Sequence, residues 1–92
     1  MRLRVDDDRL MNFRKLVDTA RAAGRGAHLR PRPIAWVVRR TGVSRAQIYN
    51  LIAGTQVATP WTAARIARGL KLDVGTVETA LAKSRRECEL TS

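Results

Sequence analysis

Apolar residues recur every three or four positions along most of the chain, a spacing that predicts helices rather than strands. Leu10, Phe13, Leu16, Val17 and Ala20 form one stripe and predict a first helix over about 9–23. Asp8 stands where an N-cap belongs, and Asp6 and Asp7 add negative charge at the positive end of the helix dipole. Gly24 and Gly26 end this helix. Val37, Val38 and Thr41 share a face in a second helix over about 33–40, with Pro33 suited to its first turn. Gly42 permits a sharp positive-φ turn, Val43 follows as a buried plug, and Ser44 is a good N-cap. The third helix runs to Ala53, points Ile48 and Leu51 back toward the second, and stops at Gly54.

Thr59 followed by Pro60 is a strong start signal for a fourth helix, running to about Lys71 with Ala63, Ile66, Ala67 and Leu70 inward. Gly69 costs that helix about 1 kcal/mol relative to Ala. Asp73 caps a fifth helix over about 74–86, with Val74, Val77, Ala80 and Leu81 inward and Arg85 and Arg86 at its negative end. The expectation is an all-α, five-helix bundle. Residues 1–8 form an N-terminal arm, 9–86 the domain, and 87–92 a flexible tail. Residues 1–5 alternate Arg with Leu or Val and fit either a short strand or a basic arm. The loop 24–33, G-R-G-A-H-L-R-P-R-P, has two glycines and two prolines and no regular structure. Trp36 falls off the Val37/Val38 face, so it covers the arginine loop or meets a partner. Core or near-core packing is the expectation for both Trp36 and Trp61.

Composition narrows the class. An aromatic content of 4 % against 45 % hydrophobic residues suits a small helical core rather than a β-sandwich. No apolar run approaches the ~18 residues that cross a bilayer, and the N-terminus has no apolar stretch of the secretory kind. Cys88 is the only cysteine and His28 the only histidine. No internal disulfide or metal site is expected from them, and a reducing cytoplasm fits. Cys88 reads as an incidental thiol in a polar tail, and His28 as a solvated or phosphate-facing residue.

Charge placement changes the picture more. The net charge is +10, and no acidic residue occurs between Asp18 and Asp73. That stretch holds ten bases, Arg21, Arg25, Arg30, Arg32, Arg39, Arg40, Arg45, Arg65, Arg68 and Lys71. Outside it, acids and bases balance. An arginine-biased composition explains Arg in place of Lys, but not the missing acids. A one-signed field around two short helices joined by a Gly turn points to a polyanion, double-stranded DNA above all.

The site follows by elimination. With Ile48 and Leu51 turned inward, the N-terminal half of the third helix presents Arg45, Ala46, Gln47, Tyr49 and Asn50 as base-reading candidates. Arg45 carries a fork of donors that matches guanine O6 and N7. Ala46 offers a methyl to a thymine methyl, and Asn50 pairs with adenine N6 and N7 or with a phosphate. Tyr49 and Gln47 can donate to phosphates or base edges. Ser44 with the helix N-terminus, Arg39 and Arg40 before it, Thr55 and Gln56 after it, and Arg30 and Arg32 in the loop are the phosphate-binding candidates.

Residues 34–81 resemble the Cro/phage-repressor (xenobiotic-response-element) helix-turn-helix family. The family pattern L-A-x-x-T-G-V-S-x-x-x-I-S-x-x-x-x-G is similar, without a gap, to the stretch 37–54, V-V-R-R-T-G-V-S-R-A-Q-I-Y-N-L-I-A-G. R-I-A-R-G-L at 65–70 and L-D-V-G-T-V-E-T-A-L at 72–81 resemble the family's later helices. The resemblance implies a lambda-repressor-like bundle with a helix-turn-helix at 33–54 and base-reading roles for Arg45, Ala46 and Asn50. Val38 departs from the family's small Ala, and Ile52 and Ala53 replace a common Glu-Asn pair. Ile34 replaces a polar residue that holds a phosphate, and the long basic loop 24–33 stands beside that gap. T-G-V-S-R-A-Q-I-Y-N-L is also similar to excisionase and AlpA-like proteins, which usually continue into a β-wing rather than two capped helices.

The expected function is a sequence-specific DNA-binding regulator, a small Cro-like repressor of phage or plasmid type, cytoplasmic and nucleoid-associated. No nucleophile–base pair, Gly-rich phosphate loop or metal cluster is apparent, so no enzyme, cofactor or small-molecule substrate is expected. A DNA-bending recombination factor and a protein-interaction module such as an antitoxin are the alternatives. For a homodimer, the candidate surfaces are the fifth helix with Leu90 or the segment 1–5; a monomer reading DNA through one helix and a basic arm is the other option.

Overall fold

The computed structural model describes residues 10–26 and 29–91. The arm 1–8, the Asp8 cap and His28 lie outside the described residues. Within them the chain is all-α, with five helices: α1 (Phe13–Ala22), α2 (Ile34–Thr41), α3 (Arg45–Ala53), α4 (Pro60–Leu70) and α5 (Val74–Thr91). Phe13, Val17, Val37, Ile48, Leu51, Ile66 and Val77 are sealed in the centre, so every helix contributes to one core.

Two ends differ from the sequence expectation, and for one reason. α1 begins at Phe13, with Asn12 as its cap: Asn12 Oδ1 accepts from the Lys15 N–H at 2.9 Å. The next free N–H, that of Phe13, donates to the buried hydroxyl of Ser84 at 2.8 Å. Asn12 also donates its side-chain amide to Glu87 at 2.8 Å. Leu10 lies before the helix and is exposed. α1 thus starts where α5 meets it, and α5 is held in turn. Residues 87–91 are therefore not a frayed tail but the last turns of α5. Cys88 belongs to them; it is half-buried, and its Cβ lies where a side chain on Gly54 would project. Val74, by contrast, is exposed in the first turn of α5, although Asp73 does cap it, accepting from the Thr76 N–H at 3.1 Å.

α4 starts as expected, with Thr59 accepting from the Thr62 N–H and Pro60 at the first position. Its buried first-turn residue is Thr62, however, and Trp61 is 68 % exposed, contrary to the expected packing. The stripe Ala63, Ile66, Ala67, Leu70 sets the inward direction, and a residue two before Ala63 faces away from it. Arg65, one turn on, lies 4.7 Å from the Trp61 ring centre. Gly69 is buried where α4 crosses α2. A Cβ there would collide with the Arg40 carbonyl oxygen. The helix-weakening glycine is a crossing point.

Four helices end on an arginine from elsewhere in the chain. Arg32 donates to the Ala23 carbonyl after α1 at 2.7 Å, and Arg65 to the Gly42 carbonyl after α2 at 3.2 Å. Arg85 donates to the Gly54 carbonyl after α3 at 3.2 Å, and Arg40 to the Gly69 carbonyl in the last turn of α4 at 3.0 Å. C-terminal carbonyls lack intrahelical partners and carry the negative end of the dipole, so a guanidinium satisfies both needs.

Candidate nucleic-acid interface

Three residues, Gly42, Val43 and Ser44, join α2 to α3, and their conformation is pinned from inside. The buried hydroxyl of Thr41 donates to the Val37 carbonyl at 2.8 Å and accepts from the Val43 N–H at 3.2 Å. Gly42 takes φ 73°, a left-handed conformation that a side chain disfavours. Val43 fills the space below, 4 % exposed. Ser44 then caps α3, its Oγ accepting from the Gln47 N–H at 3.2 Å.

Burying Ile48 and Leu51 fixes the rotation of α3. Arg45, Ala46, Tyr49 and Asn50 are left on its exposed side, while Gln47 is half-buried on the flank beside Ile48. The structure brings Thr55 and Gln56 to this surface. Thr55 donates its backbone N–H to the Asn50 carbonyl at 3.0 Å and its hydroxyl at 3.3 Å, and the Asn50 amide donates to Gln56 at 3.4 Å. Helix and following loop form one polar edge.

The basic candidates divide. Arg30 and Arg39 are exposed and have no partner among the described residues. Arg32 and Arg40 are engaged. Beyond their carbonyl bonds, their guanidinium carbons lie 4.9 and 5.8 Å from the centre of the half-buried Trp36 ring. Those interactions run to α1, α2 and α4, not to α3. The loop is also tied back, because the Arg32 N–H donates to the Arg21 carbonyl at 2.9 Å and Arg21 Nε donates to the Arg32 carbonyl at 2.5 Å.

Arg14 and Arg21 were not among the candidates. With Asp18 they border a cleft of about 330 Å³ whose other walls are Pro33, Ile34, Tyr49 and Ile52. The two arginines are seven apart on one face of α1, which the sequence displays; that this face abuts α3 is a tertiary fact. The Arg21–Asp18 contact, 3.4 Å long with Asp18 mostly exposed, adds little stability. Ile34 packs against the core and lines this same cleft, so the residue that departs from the family pattern has a packing role here.

Among the described residues no group of three or more His, Cys, Asp or Glu could hold a metal ion, and no helix is long and apolar enough to cross a membrane. Compared with known proteins, the chain matches no family model, no curated protein and no solved structure.

Proposed function

We propose that the chain is a sequence-specific double-stranded DNA-binding regulator of the small Cro-like repressor kind, acting by binding alone. One observation carries the reading. The exposed side of α3 carries Arg45 and Ala46 at the capped N-terminus and Tyr49 and Asn50 one turn on, and the opposite side of the helix is locked into the core. A helix held so rigidly can enter a major groove without losing further conformational freedom. Arg45 would read a guanine, Asn50 an adenine or a phosphate, and Ala46 a thymine methyl. Ser44, Thr55, Gln56, Arg39 and Arg30 would hold phosphates on either side. Arg14 and Arg21 extend that surface beside Tyr49.

Helices α4 and α5 follow α3 where the excisionase-like alternative carries a β-wing, which favours the repressor reading. The reading is tested by selecting duplexes from a random pool and titrating the winner against salt. Each neutralised phosphate contributes about −0.9 to the slope of log K against log salt. A flat plot would remove the DNA reading in favour of a protein partner. Arg45→Ala should cost about 1–3 kcal/mol at one base pair and leave random DNA unaffected. Equal losses on both would mean that Arg45 contacts only the backbone.

A further inference from the structure

A second concave surface lies on the α1/α2/α4 side, and no residue of α3 lines it. It is an open groove of about 690 Å³, within the range of about 300–1,000 Å³ typical of small-molecule sites. Leu16, Leu70 and Leu72 give it apolar walls, and Trp36, with the Arg32 and Arg40 guanidiniums over its ring, lines it beside them. Arg32, Arg40 and Lys71 bring three positive charges, and no carboxylate is among the lining residues. Arg40 donates a hydrogen bond only from Nε, to the Gly69 carbonyl, and with the Trp36 ring this orients the side chain. Its two terminal nitrogens, like the Lys71 ammonium, make no hydrogen bond or ion pair among the described residues.

We propose that this groove is a binding site for a small organic anion with a flat apolar body, such as an aromatic carboxylate. The ring lies against the leucines beside Trp36, and the carboxylate bridges Arg40 and Lys71. Both features are needed. Three like charges around an apolar hollow repel one another and attract an anion, while the apolar walls add little affinity for a bare inorganic ion. The inference is independent of DNA binding, because the groove and the outer side of α3 share no residue.

The test is a nuclear magnetic resonance titration of the isotope-labelled 92-residue chain with 2-naphthoate, its neutral isostere 2-naphthamide, and inorganic phosphate. The expected result is a set of 2-naphthoate shifts centred on the Trp36 indole N–H and on Gly69, Lys71 and Leu72, with a dissociation constant below about 1 mM. The amide and phosphate should each bind about tenfold more weakly or worse. Arg40→Gln with Lys71→Gln should weaken 2-naphthoate about tenfold while leaving the rest of the spectrum folded. Should that variant unfold, the acid-to-amide ratio on the unaltered chain decides. Shifts centred elsewhere, equal binding of acid and amide, or equal binding of phosphate would each overturn the proposal. So would binding that appears only after Asp6, Asp7 and Asp8 are changed to Asn, since the groove would then serve the chain's own acidic segment.

Discussion

Gly69 and Gly42 look alike in the sequence, each a glycine near a helix end, yet they answer to different physics. Gly69 sits inside α4 with ordinary helical geometry, and its hydrogen faces the Arg40 backbone. Gly69→Ala would gain helix propensity of about 1 kcal/mol but force a methyl into a carbonyl oxygen. A net destabilisation of about 1–3 kcal/mol is expected in chemical denaturation, because backbone on backbone has nowhere to move. At Gly42 an added Cβ would meet the far end of the Arg65 side chain, which can swing away, leaving the φ of 73° as the main cost. Gly42→Ala should therefore cost about 1–2 kcal/mol of backbone strain and also free Arg65 from its carbonyl.

At the scale of the element, α5 is the helix whose length local signals misjudge. Its last turns read as polar and charged, and Arg85 and Arg86 read as a dipole-matched end. The helix goes on because Ser84 and Glu87 receive the start of α1, while Cys88 packs at Gly54. Ser84→Ala would strand the buried Phe13 N–H, costing about 1–3 kcal/mol. Ending the chain after Arg86 should lower the melting temperature by at least about 4 °C, the shift that 1 kcal/mol produces in a domain this size. A detachable tail would leave it unchanged. α3 is the opposite case. Its cap, its inward pair Ile48 and Leu51, and its terminating glycine are all local, so its limits and, apart from the half-buried Gln47, its exposed side were legible in the sequence. The first turn of α4 lay between the two: the cap was legible, but the direction of Trp61 depended on where the stripe 63, 66, 67, 70 met the core.

Across the whole molecule, the arginines serve two purposes that a charge count merges. Arg32, Arg40 and Arg65 belong to the acid-free stretch, and each closes a helix end while keeping its charge. Arg30, Arg39 and Arg45 are exposed. The neighbours Arg39 and Arg40 separate the two purposes. If the DNA reading holds, Arg39→Ala should reduce the slope of log K against log salt by about 1 without changing the melting temperature. Arg40→Ala should lower the melting temperature through the lost Gly69 bond, worth about 1 kcal/mol, and change the slope less. Equal effects from the two would mean that the carbonyl bonds do not distinguish them.

Apolar periodicity, capping residues and turn glycines were enough, in the sequence alone, to determine the all-α class, the five helices, the α2–α3 turn and the side of α3 that stays free. Each depends on residues within a few positions of one another, and short-range sterics and hydrogen bonds settle them. Only the tertiary structure decided where α1 begins and α5 ends, that Trp61 is exposed, and which arginines are spoken for. It also placed Arg14 and Arg21 beside Tyr49 and formed the groove around Trp36. Those features depend on partners beyond the reach of one helical turn, most of them tens of residues away. A free N–H, an orphan carbonyl or an indole face is the same group in every sequence context until packing chooses what stands opposite it.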